Sequence, residues 1–492
     1  IRNRVVADIS SQYGCDVELR DLHLSPLTFS ATGGGLVMRE RGFQDVPPLV
    51  TIDRFAARVS PAWLLLGKVH VLSVSLEGLK ANVPPRQDGL YKVNEAGGKN
   101  QLNNPRYVAL GNPMGVVVEE IVADGAQVKI LPKDQRKEPL FFAIHRLRLY
   151  SPAPDGSMQF KVALTNPEPP GKVESSGRFG PWDRDDPSMS QVSGSYTFKD
   201  ADLSYFQGIS GKLASTGKYH GLLGHIEVDG NTDTPDFAVA ISNQPVHLKT
   251  QFHAIVDGTN GDTYLQPVNA QFGHSSLIAR GGIYGVPGGT GKTVSLDVTV
   301  NDGRIADMLR LAVKGPPILT GAVAFKTKLE VPPGPQDITT KLYLNGSFNV
   351  ADAKFAQSGI QNEVNELSDR AQGDPKAARR EGPAAASDLG GNFVLSNGTM
   401  KFSDLEFKVE GAVVKLSGTY GLVDDQIDFT GTVSTDAKVS QMTTGIKSVF
   451  LKVADPLFKK HGAGAVIPLH ITGTGDSPKY KVELGKLLKQ KF

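Results

Sequence analysis

Residue types able to do chemistry gather in one central span. His220, His225, His247, His253 and His274 are the densest histidines, and DGNTDTPD at 229–236 sets Asp229, Asn231 and Asp233 at alternate positions, like the opening ligands of a calcium loop. Such a loop also needs a glycine where Thr234 stands and a closing glutamate where Ala240 stands, so the stretch reads as a turn with Asx-type hydrogen bonds. No histidine spacing puts two rings on one helix face, and none has an acidic or serine partner in a motif, so strand or surface histidines are expected. GVPGGTGKT at 285–293 carries Val286 where a phosphate-cradling loop requires glycine, and no helix follows to aim its N-terminus at a phosphate. It reads as a glycine-rich hairpin. GxSxG, HExxH and CxxC are absent, and the single cysteine, Cys15, forms no internal disulfide. The expectation is a chain with no catalytic residue, no metal and no cofactor, although carboxylate pairs assembled in space stay open as an alternative.

The elements around these residues are strands. The terminal stretch from Leu389 to Gly485 alternates apolar and polar residues between turn signals such as Asn397-Gly398, the pattern of antiparallel strands with one oily and one wet face. Phe393, Leu395, Met400, Phe402, Leu405, Phe407, Val409, Val414, Leu416, Ile427, Phe429 and Val433 form the expected apolar lining. A helix is expected from Lys438 to Lys460, with Val439, Met442, Ile446, Val449, Phe450, Val453, Leu457 and Phe458 at helical spacing, placed as a lid or end-cap.

The same grammar runs upstream. Strand starts recur roughly every ten residues, as in a long meander. Short helical segments are expected at Pro61–Leu66, Asp202–Gly208, Arg304–Val313 and 354–372, a hairpin at Asp124-Gly125, and a linker over AQGDPKAARREGPAAASD. The pattern Ile1, Val5, Val6, Ile9 reads as the end of a helix entering from upstream. With 54 glycines and 31 prolines in 492 residues, many short strands are favoured over long helices. Roughly 25 to 30 of them at about 4.8 Å each exceed one open twisted sheet, so the expected fold is mainly β: a long curled antiparallel sheet forming an elongated groove or tube with an apolar interior, a few short helices and a C-terminal amphipathic helix. The balance of 53 basic against 51 acidic residues gives no reason to expect nucleic acid, and no apolar run reaches the roughly 18 residues that span a bilayer as a helix.

Three stretches carry a family resemblance: VELRDLHLSP with LVTIDRFAARVSPAWLLLGKVHVLSVSLEGLKANVP, then DADLSYFQGISGKLASTGKYHGLLGHIEVDGNTDTPDF, then GGNFVLSNGTMKFSDLEFKVEGAVVKLSGTYGLVDDQIDFTGTV with PLHITGTGDSPKYKVEL. Their order resembles the AsmA-like family of bacterial envelope proteins, which includes the TamB-type bridges. That resemblance implies a membrane-proximal β segment at 1–100, central β-groove repeats at 101–340, a helix and linker at 341–388 and a terminal β module at 389–492. It further implies a periplasmic protein held to the inner membrane by an anchor ahead of Ile1, without enzymatic activity, shielding the acyl chains of phospholipids in transit between the two membranes, with possible envelope protein partners. A scaffold for outer-membrane proteins, acting through exposed strand edges, is the alternative reading, and a polysaccharide-cleaving β-helix a third.

Overall fold

Alternating valine, isoleucine, threonine and aromatic residues punctuated by glycine build strands, and strands dominate the computed structural model. It describes residues 2–13, 15–40, 47–65, 70–83, 107–108, 117–130, 140–151, 153, 156–183, 187–285, 291–374, 385, 387–438, 441–442, 464–474 and 477–482. Among the described residues five α-helices accompany the strands: α1 (Arg2–Tyr13), α2 (Pro61–Leu65), α3 (Ile305–Ala312), α4 (Ile338–Lys341) and α5 (Ser358–Ala371). Among the described residues no helix is long and apolar enough to cross a membrane. The chain divides into two compact units. One holds Ile1–Tyr205, Lys212–Thr232 and Phe252–Thr263; the other holds Phe206–Gly211, Asp233–Gln251 and Tyr264–Phe492.

In the first unit, strands Cys15–Ser25, Ser30–Glu40, Val50–Val59 and His70–Glu77 pair antiparallel in chain order. Helix α1 accompanies the first of them, where the Arg2 guanidinium donates to the carbonyl of Arg20 at 3.1 Å and so occupies a backbone acceptor. The antiparallel meander is then interrupted. Val74–Leu76 and Lys80–Val83 pair parallel to strand Glu120–Ile130, which makes the sheet mixed and corrects the expectation of a purely antiparallel one. A parallel partner requires a crossover connection, and the chain between 84 and 119 supplies its length.

Asp124-Gly125 is likewise not a hairpin. The strand runs through it, with Gly125 at φ +70° absorbing a local bend. Asp124 is held across the ladder by a bidentate pair to Arg148, at 2.5 and 3.1 Å, and that hydrogen-bonded guanidinium keeps the Asp124 carboxyl below its ordinary range. Strands Leu140–Tyr150, Met158–Pro167, Pro170–Phe179, Gln191–Asp202 and Lys212–Leu222 then follow antiparallel. Ala123, Ala126 and Ile144 form the buried centre, packed by Leu76, Val128, Leu147, Val162 and Leu164.

The turn out of Gln191–Asp202 carries the largest carboxylate perturbation on this unit. Lys212 Nζ reaches Asp202 Oδ2 at 2.5 Å, while the backbone N–H and hydroxyl of Ser204 donate to Oδ1 at 3.0 and 2.6 Å. These donors, Lys212 first, lower the Asp202 carboxyl from 3.8 to about 2. The folded value lies below the unfolded one, so this contribution to stability is complete above about pH 4 and lost as pH falls toward 2. Replacing Lys212 with Met should return the Asp202 titration toward 3.8, as read by the pH dependence of its carboxyl carbon in NMR; an unmoved midpoint would assign the shift to Ser204 alone.

The second unit is more regular. Strands Ser275–Gly285, Lys292–Arg304, Leu319–Val331, Tyr343–Phe355, Ser387–Ser396, Thr399–Val409, Ala412–Gly421, Gln426–Thr435, Ala465–Thr474 and Ser477–Val482 each pair antiparallel with the next. DGNTDTPD, expected as a turn, lies instead inside strand His225–Val239. Its acidic residues serve cross-strand pairs: Asp229 meets His253 at 2.9 Å within the first unit, and Asp233 meets His247 at 2.7 Å within the second. The expected helices at Arg304–Val313 and 354–372 are present as α3 and α5. Of the expected helix at Lys438–Lys460, Lys438, Gln441 and Met442 are described; the rest lies outside the described residues, as does most of the expected linker.

Candidate functional site

Residues directly opposite in neighbouring strands share a sheet face, so register assigns side chains to faces without further argument. In the terminal strands of the second unit the rows read Leu395–Met400, Phe393–Phe402–Gly418–Phe429–Ile471, Leu405–Leu416–Gly431–Leu469, and Phe407–Val414–Val433–Ile467. Val409 pairs with Ala412, and Ile427 with Tyr420. All twelve residues expected from the sequence therefore occupy one face. Leu395, Val409 and Val414 are buried; the other nine are half-buried.

The alternation along Thr399–Val409 changes parity between Phe402 and Leu405, which would put half the strand's apolar residues on the wrong face. A β-bulge at Ser403-Asp404 corrects this: both ladders of the strand shift there, restoring Leu405, Phe407 and Val409 to the side of Met400 and Phe402.

Rings and glycines alternate along the face. Phe348 and Phe402 lie 6.2 Å apart edge-on, Phe348 and Phe393 6.1 Å, and Phe402 and Phe429 5.8 Å. Gly418 sits opposite both Phe402 and Phe429, and a Cβ there would stand 2.8 Å from the Phe429 ring, so the rings use the space that glycine leaves. Phe325 and Phe348, not among the expected lining residues, extend the same face upstream through the pairs Phe325–Phe348 and Val300–Phe325. The alternation in AVAFKTKLEV and LYLNGSFNV carries the signal that places them.

Two helices pack on one end of this face. Ile305, Met308 and Leu309 of α3 lie on Leu319, Val323, Val350 and Ala353, and Val364, Leu367 and Ala371 of α5 lie on Phe407, Val409 and Ala412. Of the expected end-cap residues, Met442 is described: its carbonyl accepts from Arg370 of α5 at 3.0 Å, beside the end of that helix. Ile446, Val449, Phe450, Val453 and Leu457 lie outside the described residues.

The other side of these strands is charged. Glu406 pairs with Lys408 at 2.5 Å and with Lys415 at 3.0 Å, and Asp428 meets His470 at 2.9 Å. The two lysines hold the Glu406 carboxyl below its ordinary range. A notch of about 330 Å³ on this side is lined by Asn349, Asp388, Asp404, Glu406 and Lys408. Among the described residues no three metal-ligating side chains converge.

In the first unit Tyr196 and Tyr219 stand on neighbouring strands of the ladder. The Tyr196 hydroxyl pairs with Ser215 at 3.0 Å and that of Tyr219 with Ser175 at 2.7 Å, and burial pushes both phenols up. Cross-strand Tyr–Ser pairs carry no local sequence signal, because the partners lie 19 and 44 residues apart. Neither a protein-family model, nor a characterised protein, nor a solved structure matches this chain.

Proposed function

We propose that the chain is a non-enzymatic lipid carrier whose apolar sheet face shields phospholipid acyl chains while the headgroup stays in water. The observation that carries this reading is the in-register face of the second unit. It holds large apolar side chains on strand after strand, and nine of the twelve are only partly buried. A sheet face made only to be covered is expected to close into a dry core, whereas among the described residues α3 and α5 cover one end of this one. Each acyl CH₂ taken out of water contributes about 0.8 kcal/mol, so a strip of this kind offsets most of the cost of drawing tails from a bilayer.

Curling of the sheet into a groove is part of the proposal. Bulges in four ladders, those joining Lys292–Arg304 to Leu319–Val331, Leu319–Val331 to Tyr343–Phe355, Ser387–Ser396 to Thr399–Val409, and Thr399–Val409 to Ala412–Gly421, support it, since a bulge bends and twists its strand. The cellular setting proposed is the one the family resemblance implies, the periplasm of a two-membrane bacterium, with the chain held at the inner membrane and envelope proteins as partners. Mass spectrometry of protein purified without detergent should find phospholipid at near-stoichiometric amounts. A lipid-free protein that also fails to take up a fluorescent fatty acid would sink the proposal.

A further inference from the structure

Six of the fourteen large apolar side chains exposed among the described residues gather at one end of the first unit's opening strands, so the exposure is a patch rather than scatter. Leu24, Leu27 and Phe29 belong to the hairpin joining Cys15–Ser25 to Ser30–Glu40. Trp63 and Leu64 belong to α2, and Leu72 sits at the irregularity where Val59 pairs with Val71. The backbone ties these pieces together: Val59 N–H donates to the Phe29 carbonyl at 2.8 Å, Ser60 N–H to the His70 carbonyl at 2.7 Å, and Trp63 stacks on the His70 ring at 5.3 Å.

The hairpin tip is unusual in its chemistry. Its turn reads Pro-Leu-Thr-Phe, without the glycine that the turns at Asn397-Gly398 and Glu410-Gly411 use. Leu27 is 94% exposed, and Phe29 is held at φ +48°, a left-handed conformation that bulky residues rarely adopt. A glycine or asparagine would fit that backbone with less strain, yet a phenylalanine occupies it, 41% exposed.

We propose that this tip inserts into the interfacial layer of a lipid bilayer. The patch consists of a turn, a single helical turn and a strand irregularity gathered at one end of the paired strands. A side chain as bare as Leu27 is surrounded on every side by a fluid apolar medium without any matching surface, whereas a folded partner needs a pocket shaped to it. Trp63 beside His70 places an amphipathic ring at the border of the patch, the position tryptophan favours at membrane surfaces. The charge on the last rung agrees with anionic headgroups. Arg58 stands exposed on the rung opposite Ser30, a cation at the border of the patch. This inference does not rest on lipid binding by the apolar sheet face.

The test uses the whole chain carrying Trp182→Phe, which leaves Trp63 as the one tryptophan, and mixed phosphatidylcholine–phosphatidylglycerol vesicles. The protein should float with the vesicles, with a blue shift of Trp63 emission. The double variant Leu27→Asn, Phe29→Asn should bind at least about tenfold more weakly. Because asparagine accepts the left-handed backbone, this variant should melt no lower than its parent, which separates lost docking from lost folding. Failure to float, flotation unchanged in the double variant, or a concentration-dependent dimer abolished by it would each overturn the proposal, the last by making the tip a contact between copies of this chain. A Phe402→Asp protein that has lost its bound lipid should still float; if flotation is lost there and kept in the tip variant, membrane contact belongs to the sheet face.

Discussion

Replacing Phe402 with Asp should lower the phospholipid retained by the purified protein by roughly a hundredfold or more, the cost of setting a carboxylate against an acyl chain. Phe402 stands at the middle of the aromatic row, 5.8 Å from Phe429 and 6.2 Å from Phe348, opposite Gly418, which leaves no side chain beside it to fill the space. Because the ring is half-buried, its loss should cost the fold only about 1–2 kcal/mol. The control is one residue away. Lys401 pairs with Val394 and Thr419 on the opposite, charged side of the same strand, so Lys401→Asp introduces the same carboxylate into the same element and should leave lipid retention unchanged. Quantitative lipid mass spectrometry with a urea titration on both variants checks the prediction. Equal loss of lipid and of stability in Phe402→Asp would make this face an ordinary core surface under a lid.

The apolar face was legible in the sequence because its cause is local. A period of two between turn residues says which side chains share a face within a run, while joining Met400 and Phe402 to Leu405, Phe407 and Val409 takes the bulge at Ser403-Asp404, which only the ladder register reveals. What defeated sequence reading was pairing over distance. Asp124-Gly125 carries the signature of a tight turn, but Asp124 is engaged by Arg148, 24 residues on, and the strand continues. Asp229 and Asp233 have turn spacing, yet His253 and His247 on the next strand take them up. The parallel partnership of Val74–Leu76 with Ile121–Ala123 likewise depends on a crossover that no short window reveals. The exposed tip at Leu27 is silent to periodicity for a different reason: periodicity identifies strands, whereas the information there is an apolar turn.

The largest loss of stability from a single polar side chain should come from Asp307, which the sequence presents only as one acid in a short helix. Asp307 is 4% exposed in the first turn of α3. Its Oδ2 accepts the backbone N–H of His274 and the hydroxyl of Ser275, both at 2.8 Å, and the Ser275 oxygen in turn accepts the N–H of Arg304 at 2.8 Å. One carboxylate thereby fastens α3 to the hairpin that turns at Gly273, whose φ of +58° and absent Cβ let the oxygens approach; a Cβ there would sit 2.5 Å from Oδ1. The negative charge also faces the positive end of its own helix. Asp307→Ala leaves the His274 amide and the Ser275 hydroxyl without their buried acceptor and should cost about 2–4 kcal/mol, while Asp307→Asn, which keeps an acceptor oxygen, should cost about 1. Hydrogen exchange supplies the site-specific check. The His274 amide should lose its protection in Asp307→Ala and keep most of it in Asp307→Asn. If α3 is held instead by Ile305, Met308 and Leu309 on Val323 and Val350 alone, both variants will exchange and melt like the parent.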